Sequence, residues 1–358
     1  MASDMQMYSA KKMLVTGYVC VGLLVCFYPL LERWRDTPTV PLQCKASKYI
    51  VYDCRNDQLG NCGEWPERIS GMLHTYIVSL LLNRTFALNH ESPCKSDLYS
   101  DPTQSMLKWR PPKQYCDYKL DLNDSFYDLT DHKAYKSSIS TLNLQSFFNT
   151  SVSFLRVVSD DMELFRKRSH ADRLVPFLKL PEADVYRQFY RAVTRDVFPN
   201  TIRRNLKLRK DKTLICVYLN TAQFGTTGAD IYRVSLNDSL PKFLKKFDEK
   251  SHNIYLSTDS PGIRTFFRTQ FRDKFSDFPP SLSNRTHGQL SKHSCEAFQR
   301  SIDELQLLTT CGILIISKSN FGKLAAYVRT SSENLYCLSP QTGVVPCTRY
   351  NLTSVLNL

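Results

Sequence analysis

The chain has 358 residues, 23% of them charged, with 47 Lys and Arg against 34 Asp and Glu, a net charge of +13. That excess invites a nucleic-acid reading, but the basic residues are scattered, which argues against one. The one dense patch, Arg203-Arg204 with Lys207, Arg209, Lys210 and Lys212, reads as a solvated linker face, or as a lure for an anionic donor or a membrane surface.

Met13 to Leu31 carries no charge over nineteen residues, with Lys11-Lys12 before it and Glu32-Arg33-Trp34-Arg35 after it. It is long enough to cross a bilayer as one helix. The expected layout is a cytosolic tail over 1–12, a transmembrane anchor over 13–31 and a short stem over 32–47. A cleaved signal peptide is the alternative, disfavoured by the lack of a small-x-small cleavage site after the apolar run.

Six Asn-x-Ser/Thr sequons, at Asn83, Asn123, Asn149, Asn237, Asn284 and Asn351, favour a luminal body. Cysteine usage agrees. Beyond Cys20 and Cys26 in the apolar run lie ten further cysteines, an even number that permits full pairing in an oxidising lumen. Cys54 with Cys62, and Cys337 with Cys347, are candidate pairs because their loops are short. No C-x-x-C or H-x-x-x-H spacing occurs, which argues against a structural metal site.

Roughly 320 residues remain beyond the anchor, too many for one ordinary core and suited to two domains. The first opens with an apolar strand, Tyr49 to Tyr52, and the turn Gly60-Asn61-Cys62-Gly63-Glu64-Trp65-Pro66-Glu67-Arg68. Such a turn brings bare amides, a helix N-terminus and a cation to one point, as phosphate binding requires, or serves packing only. Ile69, Met72, Leu73, Tyr76, Ile77, Leu80 and Leu81 recur at helical spacing and predict a helix from Arg68. Thr85 to Leu88 then reads as a strand, completing the unit from which parallel sheets are built.

Trp109-Arg110-Pro111-Pro112 breaks structure, and the polar stretch from Leu120 to Thr150 reads as surface loops with short elements. A helix returns near Glu182, with Val185, Phe189, Val193 and Val197 on one side, and stops at Phe198-Pro199-Asn200. A domain boundary is expected there, giving an N-terminal α/β domain over 48–205 and a C-terminal one over 206–358.

The second half shows strands at Thr213 to Leu219, Ile254 to Leu256 and Ile313 to Ile316, each ending in small polar residues. Phe298, Ile302, Leu305 and Leu308 predict a helix before the third strand, Phe321 to Val328 one after it, and Leu335 to Leu338 a closing strand. Ligands of open parallel sheets sit at the carboxyl ends of strands. The candidate site residues are therefore Asn220-Thr221, Ser257 to Ser260 and Ser317 to Gly322. Asp259 could accept from a ribose hydroxyl or a guanine N–H, and Ser317 and Ser319 could offer hydroxyls and amides to a diphosphate. The alternative for each serine is a helix cap. Glu64 and Glu67 are candidates for a general base, or for stabilising a helix N-terminus.

These blocks, in this order, resemble the fucosyltransferase-like glycosyltransferases of the GT-B type, the group containing α1,2-, α1,6- and protein O-fucosyltransferases, and most closely an invertebrate branch of it. The residues that carry the resemblance are Gly60 to Arg68 with the helix that follows, Asn83-Arg84-Thr85-Phe86, Pro93-Cys94, Trp109, Ile254 to Ser260, and Ile302 to Arg329. Together they touch most of Tyr49 to Arg349.

The resemblance implies two Rossmann-like domains with parallel sheets facing a cleft, and a GDP-fucose donor held mainly by the C-terminal one. It implies no permanently bound cofactor and no metal. By position, Gly60, Gly63, Thr258, Asp259, Ser317, Ser319, Phe321 and Gly322 would contact the donor, with His287 in a short His-containing loop. Arg68 would match the basic residue after the glycine turn. The implied chemistry is inverting, an acceptor hydroxyl attacking the anomeric carbon as GDP leaves. The implied setting is a Golgi or ER membrane with the catalytic body in the lumen and a glycan or glycoprotein acceptor.

One position departs from the family. Where relatives carry an Arg for the donor phosphates after the first strand of the second half, this chain has Asn220. An amide lacks the charged bidentate fork of a guanidinium. Lys318, Lys323, Arg233 and Arg68 are the candidate substitutes. An active transferase, a catalytically weakened nucleotide- or glycan-binding relative, and an enzyme using another nucleotide sugar all remain open from sequence. A hydrolase is disfavoured, because no Gly-x-Ser-x-Gly elbow occurs and no carboxylate pair stands out.

Overall fold

The computed structural model describes residues 48–54, 62–93, 126–129, 144, 148, 152–159, 161–166, 176–194, 211–220, 239–272, 274–276, 295–339 and 342–356. All fall within one compact unit, Lys48–Leu358. The proposed anchor, Gly60, His287, and the sequons at Asn123, Asn149, Asn237 and Asn284 lie outside the described residues. Among those described, no helix is long and apolar enough to cross a membrane. Asn83 and Asn351 are both exposed.

The first half is built on strands β1 (Tyr49–Cys54), β2 (Thr85–His90), β3 (Phe126–Asp128) and β4 (Val152–Arg156), in the order β2-β1-β4-β3. Every neighbouring pair is parallel. Helix α1 (Trp65–Leu81) links β1 to β2, and the short α2 (Met162–Arg166) and α3 (Glu182–Val193) follow β4. The predicted strand at Thr85 runs two residues further than its apolar pattern, because Asn89 and His90 keep pairing with Asp53 and Cys54. Helix α1 begins three residues before the predicted start at Arg68. Pro66 stands in its first turn, where no intrahelical N–H is needed and the fixed φ of proline already suits the helix.

The second half has six strands: β5 (Thr213–Leu219), β6 (His252–Thr258), β7 (Phe275–Ser276), β8 (Ile313–Ile316), β9 (Leu335–Ser339) and β10 (Gly343–Pro346). Their order is β10-β9-β8-β5-β6-β7, with only β10 antiparallel. Helix α4 (Pro261–Gln270) follows β6, α5 (Cys295–Thr309) precedes β8, α6 (Asn320–Val328) follows it, and α7 (Leu352–Leu356) comes after β10.

Strand alternation divides the apolar residues between two faces. On β5, Leu214, Cys216 and Tyr218 join a core that also contains Ile50, Tyr52 and Cys54 of β1. Ile215, Val217 and Leu219 face the other way, toward Phe267 and Phe271. The two sheets thus share one apolar interior, filled by α1, α3, α5 and α6. Helix α1 is buried on most of its circumference, including the polar Thr75 and Ser79, whose hydroxyls are absorbed by the carbonyls of Gly71 and Tyr76.

Cys54 pairs with Cys62 and Cys337 with Cys347, as the short loops suggest. The third disulfide, Cys216 to Cys311, spans 95 residues. No spacing rule points to it, because it exists only once β5 lies beside β8. Cys295 is also disulfide-bonded, to a cysteine outside the described residues.

Gly71 marks where α1 comes down onto the first sheet. A Cβ there would lie 1.9 Å from the carbonyl oxygen of Val157 and 2.8 Å from the Tyr52 ring. Because the nearer obstacle is backbone, Gly71→Ala is expected to cost about 3 kcal/mol of stability. Urea denaturation of the two chains measures this, and a variant within about 0.5 kcal/mol of the parent would contradict so close an approach.

Candidate active site

Both sheets reverse direction at their middle. The chain leaves β1 for β2 on one side and then places β3 and β4 on the other; it leaves β5 for β6 and β7 on one side and then places β8 and β9 on the other. At such switch points the connections diverge and leave a crevice beyond the carboxyl ends of the strands. In the second sheet those ends are Leu219-Asn220, Thr258-Asp259 and Ile316-Ser317.

The tips of β5 and β8 are tied to each other. The Ser317 amide donates to the Tyr218 carbonyl at 3.0 Å, and the Asn220 amide donates to the Ser317 hydroxyl at 2.9 Å. Ser319 caps α6 by accepting from the Gly322 amide at 2.8 Å. Phe321 stacks on the Tyr218 ring, with centroids 5.1 Å apart and planes 17° from parallel. Gly322 has no room for a side chain without displacement, since a Cβ would lie 3.1 Å from both the Ser317 carbonyl and the Ser319 hydroxyl. Ser317, Ser319, Phe321 and Gly322 do cluster at one strand tip, but all four are buried. Their first task is to build the β8–α6 turn.

Tyr218 is the pivot of this cluster. Burial pushes its phenol well above the ordinary range, and Glu304 adds to the shift. A hydrogen bond with Ser319 opposes it, while Glu64 and Asp259 push further in the same direction. Glu64 at the entrance to α1 and Asp259 at the tip of β6 therefore come within electrostatic reach of one hydroxyl. Sequence alone could not bring those two carboxylates together. Glu64 is exposed and makes no side-chain capping bond, although it occupies the cap position.

Thr258 is internal. Its hydroxyl accepts from the Ser260 amide at 3.2 Å, and its carbonyl accepts from the Arg264 guanidinium at 2.9 Å. Asp259, the next residue, is half-buried at the strand end.

Arg68, the basic residue after the glycine turn, is buried. Its side chain is 2% exposed. It donates from Nε to the Gly63 carbonyl at 2.9 Å and from Nη1 to the Ser92 carbonyl at 2.6 Å. Nη1 also lies 2.8 Å from His90 Nε2 and 2.9 Å from Cys54 Sγ, and the guanidinium sits 4.8 Å from the centroid of Phe298. Through these contacts Arg68 clamps the β1–α1 turn to the end of β2 and to α5. Gly63 takes part through its backbone, at φ +71°, where a Cβ would strike Glu67 at 2.6 Å.

A cavity of about 200 Å³ lies between the halves, lined by Glu67 and Ser70 of α1, Ser159 after β4, Tyr186 of α3, and Asn320, Lys323 and Tyr327 of α6. Glu67 Oε1 accepts from the Asn320 side chain at 3.1 Å, whereas its Oε2 is buried without a partner. Lys323 pairs with Glu182 at 2.7 Å and lies 5.4 Å from the Tyr327 ring centre. Burial first, and Lys323 against it, leave the Tyr327 phenol pushed up to about 12. Small-molecule sites begin at about 300 Å³, so this space by itself suits one sugar or phosphate group of a larger ligand. Asn320, Lys323 and Tyr327 lie one helical turn apart along α6, a signal present in the sequence but masked by the apolar residues between them. Among the described residues, no group of three or more His, Cys, Asp or Glu side chains converges as metal ligands.

Comparison with solved structures places this geometry. An arginine-to-lysine variant of Arabidopsis thaliana FUT1 in complex with GDP superposes with a TM-score of 0.60 at 13% identity, over 84% of this chain and 76% of that one. The chain shares the fold of that structure. NodZ α-1,6-fucosyltransferase, co-crystallised with GDP or soaked with GDP-fucose, also aligns over 84% of this chain, with a TM-score of 0.48 and 11% and 13% identity; NodZ is from Bradyrhizobium. No protein-family model and no curated sequence matches the chain.

Within this fold, Arg68→Ala should act on folding rather than on ligand alone. Removing a buried cation that serves two carbonyls is expected to cost about 3 kcal/mol. Thermal melts check this: loss of ligand binding with an unchanged melting temperature would return Arg68 to the crevice.

Proposed function

We propose that this protein is a fucosyltransferase-like glycosyltransferase that moves fucose from GDP-fucose to a hydroxyl of a glycan or glycoprotein. The observation that carries the reading is the convergence, at the switch points of two parallel sheets, of Asp259, the β8–α6 turn and the entrance to α1. Fold likeness to an enzyme that holds GDP supports it. The proposed arrangement keeps an acceptor-side domain over 48–205 and a donor-side domain over 206–358, following the two sheets. It also keeps a type II anchor and a luminal Golgi or ER setting, supported by the apolar run, the sequons and the disulfides.

In the proposed reaction the acceptor oxygen bonds to the fucose anomeric carbon as the bond from that carbon to the β-phosphate oxygen breaks, inverting the centre. The hydroxyl proton passes to a carboxylate, and GDP departs with the bonding pair. Two carboxylates suit the base. Glu67 offers a buried, unpartnered oxygen in the cavity, and Glu64 stands exposed at the start of the same helix. Asp259 suits a hydroxyl or N–H of the nucleoside. The N-terminus of α6, with Lys318 and Lys323 nearby in sequence, supplies the positive end for the leaving diphosphate, and no metal is invoked.

A second reading, a weakened relative that binds nucleotide or glycan without efficient turnover, is favoured by a specific feature. The β5 tip ends in Asn220, and the phenol beside it feels the carboxylates of Glu304, Glu64 and Asp259. That field opposes a diphosphate.

Calorimetric titration of the chain with GDP, followed by a GDP-release assay with GDP-fucose and glycan acceptors, tests the first reading. Binding and turnover are expected, with Asp259→Ala weakening GDP by about tenfold, the scale of one lost charge-assisted hydrogen bond. No binding and no release would reject it. Asn220→Arg is expected to tighten GDP by tenfold or more, on the order of a gained bidentate phosphate contact. Titration of that variant decides between an intact site with one handicap and a site that no longer holds the donor.

A further inference from the structure

Helix α3 carries Asp184, Arg187 and Arg191 at spacings of three and four, so the three share one helical face. The segment between β10 and α7 lies against that face, because the Tyr350 hydroxyl donates to the Asp184 carboxylate at 3.3 Å. Arg349, the neighbouring residue, is turned inward with 3% of its surface exposed. Its Nε and Nη1 are buried and have no hydrogen-bond partner, and Arg187 Nε is in the same condition. Arg329 is close on the inner side, but its own Nη groups are spent on the carbonyls of Cys311, Gly312 and Glu333.

The electrostatics of the cluster are one-sided. Burial lowers the Arg349 pKa and Arg187 lowers it further, with Tyr350 and Asp184 acting against them and Arg191 with them. Burial and then Arg349 bring Arg329 down to about 10. Arg349 therefore feels Arg187 and Arg191 and acts in turn on Arg329, with Asp184 the one carboxylate among the described residues that acts on Arg349. A guanidinium does not escape such a site by losing its proton near neutral pH. Buried N–H donors and uncompensated like charge both call for an acceptor that is itself an anion.

We propose that Arg349, Arg187 and Arg191 form an anion-binding site that takes a tetrahedral oxyanion, a phosphate or sulfate group. The donors come from two elements, α3 and the segment before α7, so they approach from different sides. A tetrahedral group presents oxygens in several directions and carries up to two charges, which suits three forks better than a planar carboxylate. Tyr350, 62% exposed beside the site, gives an apolar surface on which the remainder of a phosphate or sulfate ester can rest. The proposal does not depend on the transferase reading.

The test uses the full chain without nucleotide. Sodium sulfate, sodium phosphate and galactose 6-sulfate are titrated by calorimetry at fixed ionic strength, with chloride as the reference anion. Sulfate or phosphate is expected to bind above chloride. Arg187→Gln, at a half-exposed position, should weaken that binding about tenfold, as should Arg191→Gln at an exposed one. Melting curves of both variants in chloride confirm that they fold. Tighter binding of the sugar ester than of free sulfate assigns a sulfated or phosphorylated glycan as the source. Equal affinity assigns the free anion. No binding above chloride, or binding that survives both substitutions, overturns the proposal.

Discussion

Helices α1 and α6 lie between two parallel sheets and bury surface against both sides at once. Each leaves the central strand of its own sheet at the switch point, so the constraint that fills the core also fixes where the helix N-termini stand. Gly71 lets α1 approach the first sheet to backbone contact, and Gly322 does the same for α6 beneath the β8 tip. Moving either helix outward would open the shared core and separate Glu64 from Tyr218. Packing and site geometry are thus one arrangement, held by the same residues.

Polar groups within that layer serve the packing before they serve a ligand. Arg68 fastens the β1–α1 turn to the end of β2 and to α5 of the second half through carbonyl oxygens and an aromatic face, and Ser317 and Ser319 close the turn into α6. Their burial is a consequence of the double-sided core, which leaves little solvent for groups on the inner faces. Near the strand ends stand Glu64, exposed and without a capping bond, and Asp259, half-buried, while Glu67 keeps one buried oxygen without a hydrogen-bond partner. All three are acidic.

Much of the fold was legible because its signals are local. The stripe from Ile69 to Leu81 and the apolar runs at Thr213, Ile254 and Ile313 each follow from a period that a single element imposes on its own residues. The short-loop disulfides were legible for the same reason, since few conformations can separate Cys54 from Cys62. The site was legible only in outline. Strand tips with small polar residues announce where a ligand belongs, but a serine that caps and a serine that binds have the same neighbours in sequence.

What the chain alone determined is therefore its elements, their parallel sheet grammar and the strand ends at which chemistry belongs, because spacing and residue type act over a turn or two. What only the tertiary structure decided is which side chains face the crevice. Arg68 turned inward because His90, Ser92 and Phe298 arrive from distant parts of the chain to receive it. Cys216 found Cys311, Glu67 met Asn320 across 253 positions, and Arg349 came to rest against α3. Each of these depends on two sheets closing over one layer of helices, a long-range event that no local pattern encodes.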